Sequence, residues 1–366
     1  SITTSTVVSF LITGAIGGGA AYGATPGNKA GNGGNINSVA LGQGSSVDND
    51  SVAVGANARA VSASGGVPAV TSKGVAIGNN AKAEGSISIG ELSSSNHFGV
   101  AIGYNAGAQN TTTGASFANV TIGANTRVGV QGGTQAAQGI AIGSGIQAHE
   151  GAWAKGDQSI AIGANTESTG DSSIAIGGDD LNSVYSSSSS YTKKTFDKAG
   201  TQTSSQSVNK NLNDIYKDLT GRTEGLGYNV FKGTNSGQGA VALGVKSKAG
   251  DIALAIGTLS EATGINSVAI GTGAQTPQAN AVAIGGGSTT NGIQGRQVKD
   301  ADVTLADGTT MRYGNFAGAT NVEEGSMVSF GRAGRERQLK NIAPGEVSAT
   351  STDGINGSQL FAVAKK

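Results

Sequence analysis

The sequence predicts an all-β protein, a solenoid of short parallel coils that associates with copies of itself. Three observations lead there. A five-residue word of the form [SGA]-[VI]-[AS]-[IVL]-G, with close variants, recurs along most of the chain, and a small–polar–small triplet follows it at a nearly constant offset. The composition also cannot supply a thick core: glycine fills 62 of 366 positions, aromatic residues make up 4% and charged residues 13%. A chain so poor in large apolar side chains must bury small residues in thin, repeated layers or go without a core.

Taken in order, the first 36 residues read as a cap region. Val7 to Ile16 is apolar but too short to span a bilayer, and no Lys or Arg precedes it, so it is expected to belong to the mature protein. Gly14, Gly17, Gly18 and Gly19 miss the spacing of a dinucleotide-binding loop and no helical pattern follows them, which leaves a turn-rich cap.

The word then ends at Gly42, Gly55, Gly78, Gly90, Gly103, Gly123, Gly143, Gly163, Gly177, Gly244, Gly257, Gly271 and Gly285, thirteen copies in all. Many neighbouring glycines lie 12 to 14 residues apart, and gaps of 20 and 23 are the same coil with a loop inserted. So short a period fits a β-solenoid, because helical repeats need twenty or more residues. The triplet after each glycine, as in Ala58-Arg59-Ala60, Thr166-Glu167-Ser168 and Ser260-Glu261-Ala262, alternates like a strand with one wet face. The word itself, as in Ile160-Ala161-Ile162, carries no charge on either face, the mark of a strand buried on both sides. One face can pack inside its own coil. The other is expected to meet an identical chain related by rotation, with the alanine allowing close approach. Parallel rungs stack ~4.8 Å apart, so thirteen give a rod on the order of 60 Å long.

Word, period and triplet together resemble the YadA-like head of trimeric autotransporter adhesins over about residues 37–286. The resemblance implies a left-handed parallel β-roll in a homotrimer. Residues 328–360 are similar to the neck of the same family, through Gly331, Gly334, Glu336, Arg337 and Gln338, then Asn341, Ile342 and Gly345, then Asp353, Asn356, Gln359 and Leu360. Asp353-Gly354-Ile355-Asn356 departs from the family's Asp-Ala-Val-Asn by one helix-weakening glycine. The neck would lead into a coiled-coil stalk, and Arg335, Glu336, Arg337, Asn341, Asp353 and Asn356 are the expected contacts between chains. No heptad array or membrane barrel follows Leu360, so the chain is expected to be a passenger fragment without its membrane anchor.

The resulting organisation is a cap region (1–36), head repeats (37–177), a head insert (178–239), further head repeats (240–286), a connecting hairpin region (287–326), a neck (327–357) and the start of a stalk (358–366). The insert opens on Gly177-Gly178-Asp179-Asp180-Leu181, which resembles the family's head insert motifs. It holds six of the fifteen Tyr and Phe residues, which predicts a small core of its own. Its serine tract, Ser186 to Ser190, reads as a flexible arm, and Val208, Leu212, Ile215 and Leu219 predict a helix from about Val208 to Thr220, capped by Ser207 and ended by Gly221. Farther on, Val303 and Leu305, an Asp307-Gly308 turn, then Thr310 and Arg312 predict a hairpin.

No catalytic constellation is visible: cysteine is absent, the two histidines are far apart, and HExxH, P-loop and nucleophile-elbow patterns are missing. Asp179-Asp180 lacks further ligands at metal spacing, so neither metal nor cofactor is expected. Lys plus Arg equals Asp plus Glu at 24 each, which gives no global field for nucleic acid. Candidate adhesive contacts are Trp153 and His149 on an inserted loop, with Tyr185, Tyr191, Phe196 and Tyr228 in the insert. The resemblance implies a Gram-negative cell-surface adhesin, exported through the outer membrane, whose partners are itself, extracellular matrix proteins, host cells or abiotic surfaces. The rival reading is a trimeric phage fibre or spike that binds or cleaves glycans. It would need a carboxylate pair on neighbouring coils, whereas the outward positions mix Arg59, Lys82, Glu167, Lys248 and Glu261.

Overall fold

Each word between residues 38 and 177 forms one short parallel strand of a continuous sheet in the computed structural model, which describes residues 38–48, 50–61, 73–108, 118–129, 137–227 and 233–365. The chain divides into two units, Ser1–Ser183 with Gly227–Ile252, and Val184–Leu226 with Ala253–Lys366.

In the first unit the strands run from Val39–Leu41 through Val100–Ile102 and Ile160–Ile162 to Ile174–Ile176 and Val241–Leu243. Their register superposes the words residue for residue: Ala101 pairs Thr121, Thr121 pairs Ala141, Ala141 pairs Ala161 and Ala161 pairs Ala175. Ile174 then pairs Val241, so the excursion through the insert leaves the register intact. The triplets form a second parallel sheet in which Arg59 pairs Lys82, Arg127 pairs Trp153, and Glu167 pairs Asn235.

Between the sheets lies a core of small side chains. Ala53, Ala76, Ala101, Ala141, Ala161 and Ala175 of the first sheet meet Ala60, Ala83 and Ala154 of the second, all fully buried. The central alanine therefore points into its own coil, not toward a neighbouring chain. Its smallness brings the two sheets of one chain together, and the flanking Val and Ile residues point outward. Hydroxyls replace alanine where they find partners, as in Ser88 with Ser93 (2.7 Å) and Ser168 with Ser173 (2.6 Å).

The corner after each word explains its glycine. Gly103 has φ +131°, and a Cβ there would stand 2.6 Å from the carbonyl carbon of Gly123 in the next coil. Two residues on, Asn57, Asn80, Asn105, Asn125 and Asn165 take left-handed φ values between 51° and 58°, a region asparagine tolerates better than most residues. Their amides tie coil to coil: Asn105 donates to Asn125 (2.9 Å), and Asn125 to the Gly145 carbonyl (2.9 Å).

In the second unit, Leu254–Ile256, Val268–Ile270 and Val282–Ile284 continue the same pattern among themselves. The parallel sheet extends beyond the last word. Val328–Ser329, expected in the neck, pairs in parallel with Val282–Ile284 as one more rung. Between them the hairpin Asp300–Thr304 with Thr310–Gly314 forms as the sequence predicts, with Asp307 accepting from the Thr309 amide (2.9 Å).

The insert differs from its sequence reading. After a short helix, α1 (Asn182–Ser186), the serine tract enters a strand, Ser188–Phe196, paired antiparallel with Gln202–Asn211. Val208 belongs to that second strand, and the helix, α2, spans only Leu212–Thr220. Asn211, not Ser207, is its N-cap, accepting from the Asp214 amide (2.8 Å), while Gly221 ends it in the left-handed region. Of the insert's described Tyr and Phe residues only Tyr216 is buried, so the expected aromatic core is absent there. Instead Ile215 and Tyr216 are buried on α2, and the Tyr216 hydroxyl lies against Gly273 of the coils. A last helix, α3 (Gly357–Ala364), carries a reciprocal capping box between Asn356 and Gln359.

Candidate functional site

Three surfaces are left for recognition once the thin coil cores are filled. The first is an apolar stripe. Because alanine, or Ser88 and Thr121 in its place, takes the inward position of the words, two branched residues per rung face outward, and they stand only half-buried in the single chain: Ile77 is 39% exposed, Ile87 41%, Ile102 38%, Ile122 38% and Ile176 38%. No charged residue interrupts the outward positions of the words. Farther along, in the second unit, the neck and α3 are barer still, with Leu339 61% exposed, Val347 77%, Leu360 67% and Phe361 67%.

The second surface is the outward row of the second sheet. Trp153 does not sit on a loop. It is the middle residue of Ala152-Trp153-Ala154, a triplet like every other, and forms the strand Trp153–Ala154. Its indole Nε1 donates to the Gly129 carbonyl (2.6 Å), and the Arg127 guanidinium and Lys155 ammonium lie 4.3 Å and 4.1 Å from the ring centroid. Lys155 in turn reaches Glu167 on the next rung (3.0 Å). Burial draws the Arg127 guanidinium below its usual range, and Glu167 opposes that shift. His149 lies in the loop before this strand and is exposed; in the same loop the Ile146 and Gln147 amides donate to the Glu150 carboxylate (2.9 and 3.0 Å).

The third surface is the insert. Its hairpin is exposed along almost its whole length. Tyr185 on α1 and Phe196 at the hairpin's far end are 44% and 58% exposed, and Tyr191 is half-buried. Tyr228 lies outside the described residues. Tyr185, Tyr191 and Phe196 belong to the second unit, Trp153 and His149 to the first.

In the neck the charged residues are used unequally. Arg337 donates to Ser288 Oγ (2.8 Å) and to the carbonyls of Phe330 and Gly286 (both 2.6 Å), so it closes the end of its own chain's last coils. Arg332 donates to the Thr220 carbonyl at the C-terminus of α2 (3.2 Å), where cations are favoured. Glu336 accepts from the Gly334 amide, Asp353 from the Glu346 amide, and Asn341 takes a left-handed φ of 59°. Asn356 bonds the Ile342 carbonyl (3.3 Å) besides capping α3. Arg335 lies over Gly221.

Sequence reading did not single out the corner asparagines, although a Gly-x-Asn step follows five of the words. It also placed Tyr191 and Arg335 in separate regions, which the fold of the second unit brings to one groove.

The YadA head domain repeat model matches residues 35–58, 73–90, 154–179, 236–252, 250–274 and 262–288, on the words before and after the insert. The autotransporter adhesin BtaE of Brucella suis biovar 1 (strain 1330) is 45% identical over 67 residues, which is 18% of this chain and 9% of BtaE. A solved structure, the C-terminal YadA-like domain of BPSL2063 from Burkholderia pseudomallei, is 26% identical, covering 48% of this chain and 64% of that one with a TM-score of 0.24. The words that form the rungs of the parallel sheet, before and after the insert, thus carry YadA head repeats, and in these repeats the chain is similar to the YadA-like heads of trimeric autotransporter adhesins.

Proposed function

We propose that this chain forms a homotrimeric rod exported to the surface of a Gram-negative cell, where it attaches the cell to matrix proteins, host cells or abiotic surfaces and to other copies of itself. One observation carries the reading: an unbroken stripe of half-exposed Val and Ile on the words, with the apolar neck and α3 barer still. A lone chain leaves these side chains in water, and two sister chains related by rotation would cover them at every rung alike. Glu336, Asn341, Asp353 and Asn356 would then meet the neighbouring necks. Contacts with a target would come from what points away from the seam: the Trp153 row, the loop bearing His149, and the insert. Each contact is weak, and the copies on a trimer and on a cell multiply it, so avidity supplies the attachment.

The test joins light scattering on the purified chain to a binding panel of collagen, fibronectin, laminin, cells, plastic and glass. A trimer that adheres to one or more of these agrees with the proposal. A stable monomer would sink it. Repeating the panel without residues 178–239 separates a bracing insert, whose loss leaves binding in a surviving trimer, from a binding one.

A further inference from the structure

The second unit contains a groove of about 470 Å³ between the insert hairpin, the end of α2 and the neck. Tyr191, Lys193, Gln206 and Val208 face it from the hairpin: Tyr191 pairs Val208 and Lys193 pairs Gln206, and residues two apart on a strand share a face. Lys210, whose cross-strand position places it on that face too, and Asp218 of α2 join as an ion pair at 2.7 Å. Arg335 closes the groove from the neck. Three cations stand against one carboxylate, a surplus of two positive charges, in a chain whose net charge is zero. Since Asp218 is engaged by Lys210, the cations left for a ligand are Lys193 and Arg335, both exposed.

We infer that this groove binds an acidic polysaccharide. Arg335 presents a planar fork suited to a carboxylate or sulfate, and Lys193 a point charge. Tyr191, half-buried, offers a ring face for the apolar side of a sugar, and the Gln206 amide supplies both a donor and an acceptor for hydroxyls. Other occupants fit less well. A single-stranded nucleic acid calls for successive aromatic platforms, and Tyr191 is the one aromatic in the lining. An acidic peptide calls for apolar anchor pockets, and here the aliphatic side chains are Val208 and Leu219, the latter 52% exposed.

The inference rests on reading the chain as an adhesive head and names the chemistry of one of its sites. It is tested on the purified full chain, in the oligomer it forms, against heparin (sulfated), polygalacturonate (carboxylated), dextran (neutral) and polyglutamate (acidic, without sugar). Heparin or polygalacturonate should bind, dextran should not, and raised salt should weaken binding. Lys193→Gln with Arg335→Gln should weaken binding at least about tenfold, two charge-assisted contacts being lost. Tyr191→Ala should weaken binding of the polysaccharide but not of polyglutamate, whereas Lys82→Gln with Lys248→Gln, outside the groove, should change nothing. Light scattering confirms that each variant keeps its oligomeric state. The inference is overturned by absent polysaccharide binding, by equal loss in the off-groove variant, or by polyglutamate binding as tightly with Tyr191→Ala without effect. Attachment of the same wild-type protein to the matrix and plastic panel is scored separately, so an adhesive head without this ligand is distinguished from a chain that does not adhere.

Discussion

Replacing Ile102, Ile122 and Ile142 together by lysine puts the outward stripe to its strictest test. The three stack in register on adjacent rungs, Ile102 on Ile122 and Ile122 on Ile142. Ile102 and Ile122 are each 38% exposed in the single chain. That leaves roughly 70 Å² of apolar surface per side chain to be covered by a neighbour, about 1.8 kcal/mol at ~25 cal/mol per Å². In the proposed trimer this makes about 5 kcal/mol per rung and about 16 kcal/mol for the block. One isoleucine is therefore too small a perturbation to open an assembly held at every rung. Three lysines per chain also bring nine like charges to the seam, each costing several kcal/mol if desolvated. Inside the single chain the same lysines are harmless, because their positions point to water as Lys82 and Lys248 already do on the second sheet. The expected result is a retained β spectrum with loss of the trimer by light scattering, or with hydrogen exchange accelerated at residues 100–142 alone. The contrasting variant Ala101→Leu, at an inward and fully buried position, should lower the melting temperature through overpacking worth about 1–3 kcal/mol. An intact trimer with unchanged protection across the lysine block would refute the assignment of the stripe to a seam between chains.

Gly103→Ala should destabilise the roll by about 1–3 kcal/mol, read as a lower melting temperature, because φ +131° is hostile to a side chain and the new Cβ meets the Gly123 carbonyl carbon at 2.6 Å. Arg337→Ala removes three donated bonds to Ser288, Phe330 and Gly286, and hydrogen exchange at residues 282–290 should rise by about tenfold or more. Lys210 holds the Asp218 carboxyl below its usual range through their hydrogen bond. The pair's contribution is thus present above the unfolded carboxylate range and lost as pH falls through the lower folded value, and the Asp218 carboxyl resonance should titrate below an ordinary Asp and return upward in Lys210→Gln.

Much of the roll was legible because its determinant is local and repeated. A glycine at each corner, two branched residues around an alanine, and a small–polar–small triplet specify a strand, a turn and a strand without long-range information, and thirteen repetitions average out the exceptions. Even Trp153 obeys the triplet; its misplacement on a loop came from weighing its rarity over its position. The hairpin of the insert escaped because both its faces are wet: with no apolar alternation, Ser188–Phe196 resembles a disordered serine-rich arm, and only the antiparallel partner reveals a strand. The helical spacing from Val208 to Leu219 was real for its later half and accidental for its first residue.

The sequence alone thus determined that the chain winds into small-residue coils carrying an uncharged outward stripe, since period and side-chain size leave no other way to bury it. Tertiary structure decided which side of each word faces inward, for a strand uncharged on both faces gives no polarity signal and only the thinness of the coil selects alanine over isoleucine. It decided as well that Tyr191 and Arg335, 144 residues apart in sequence, share a groove, because the hairpin, α2 and the neck pack together within the second unit through contacts that no local pattern encodes.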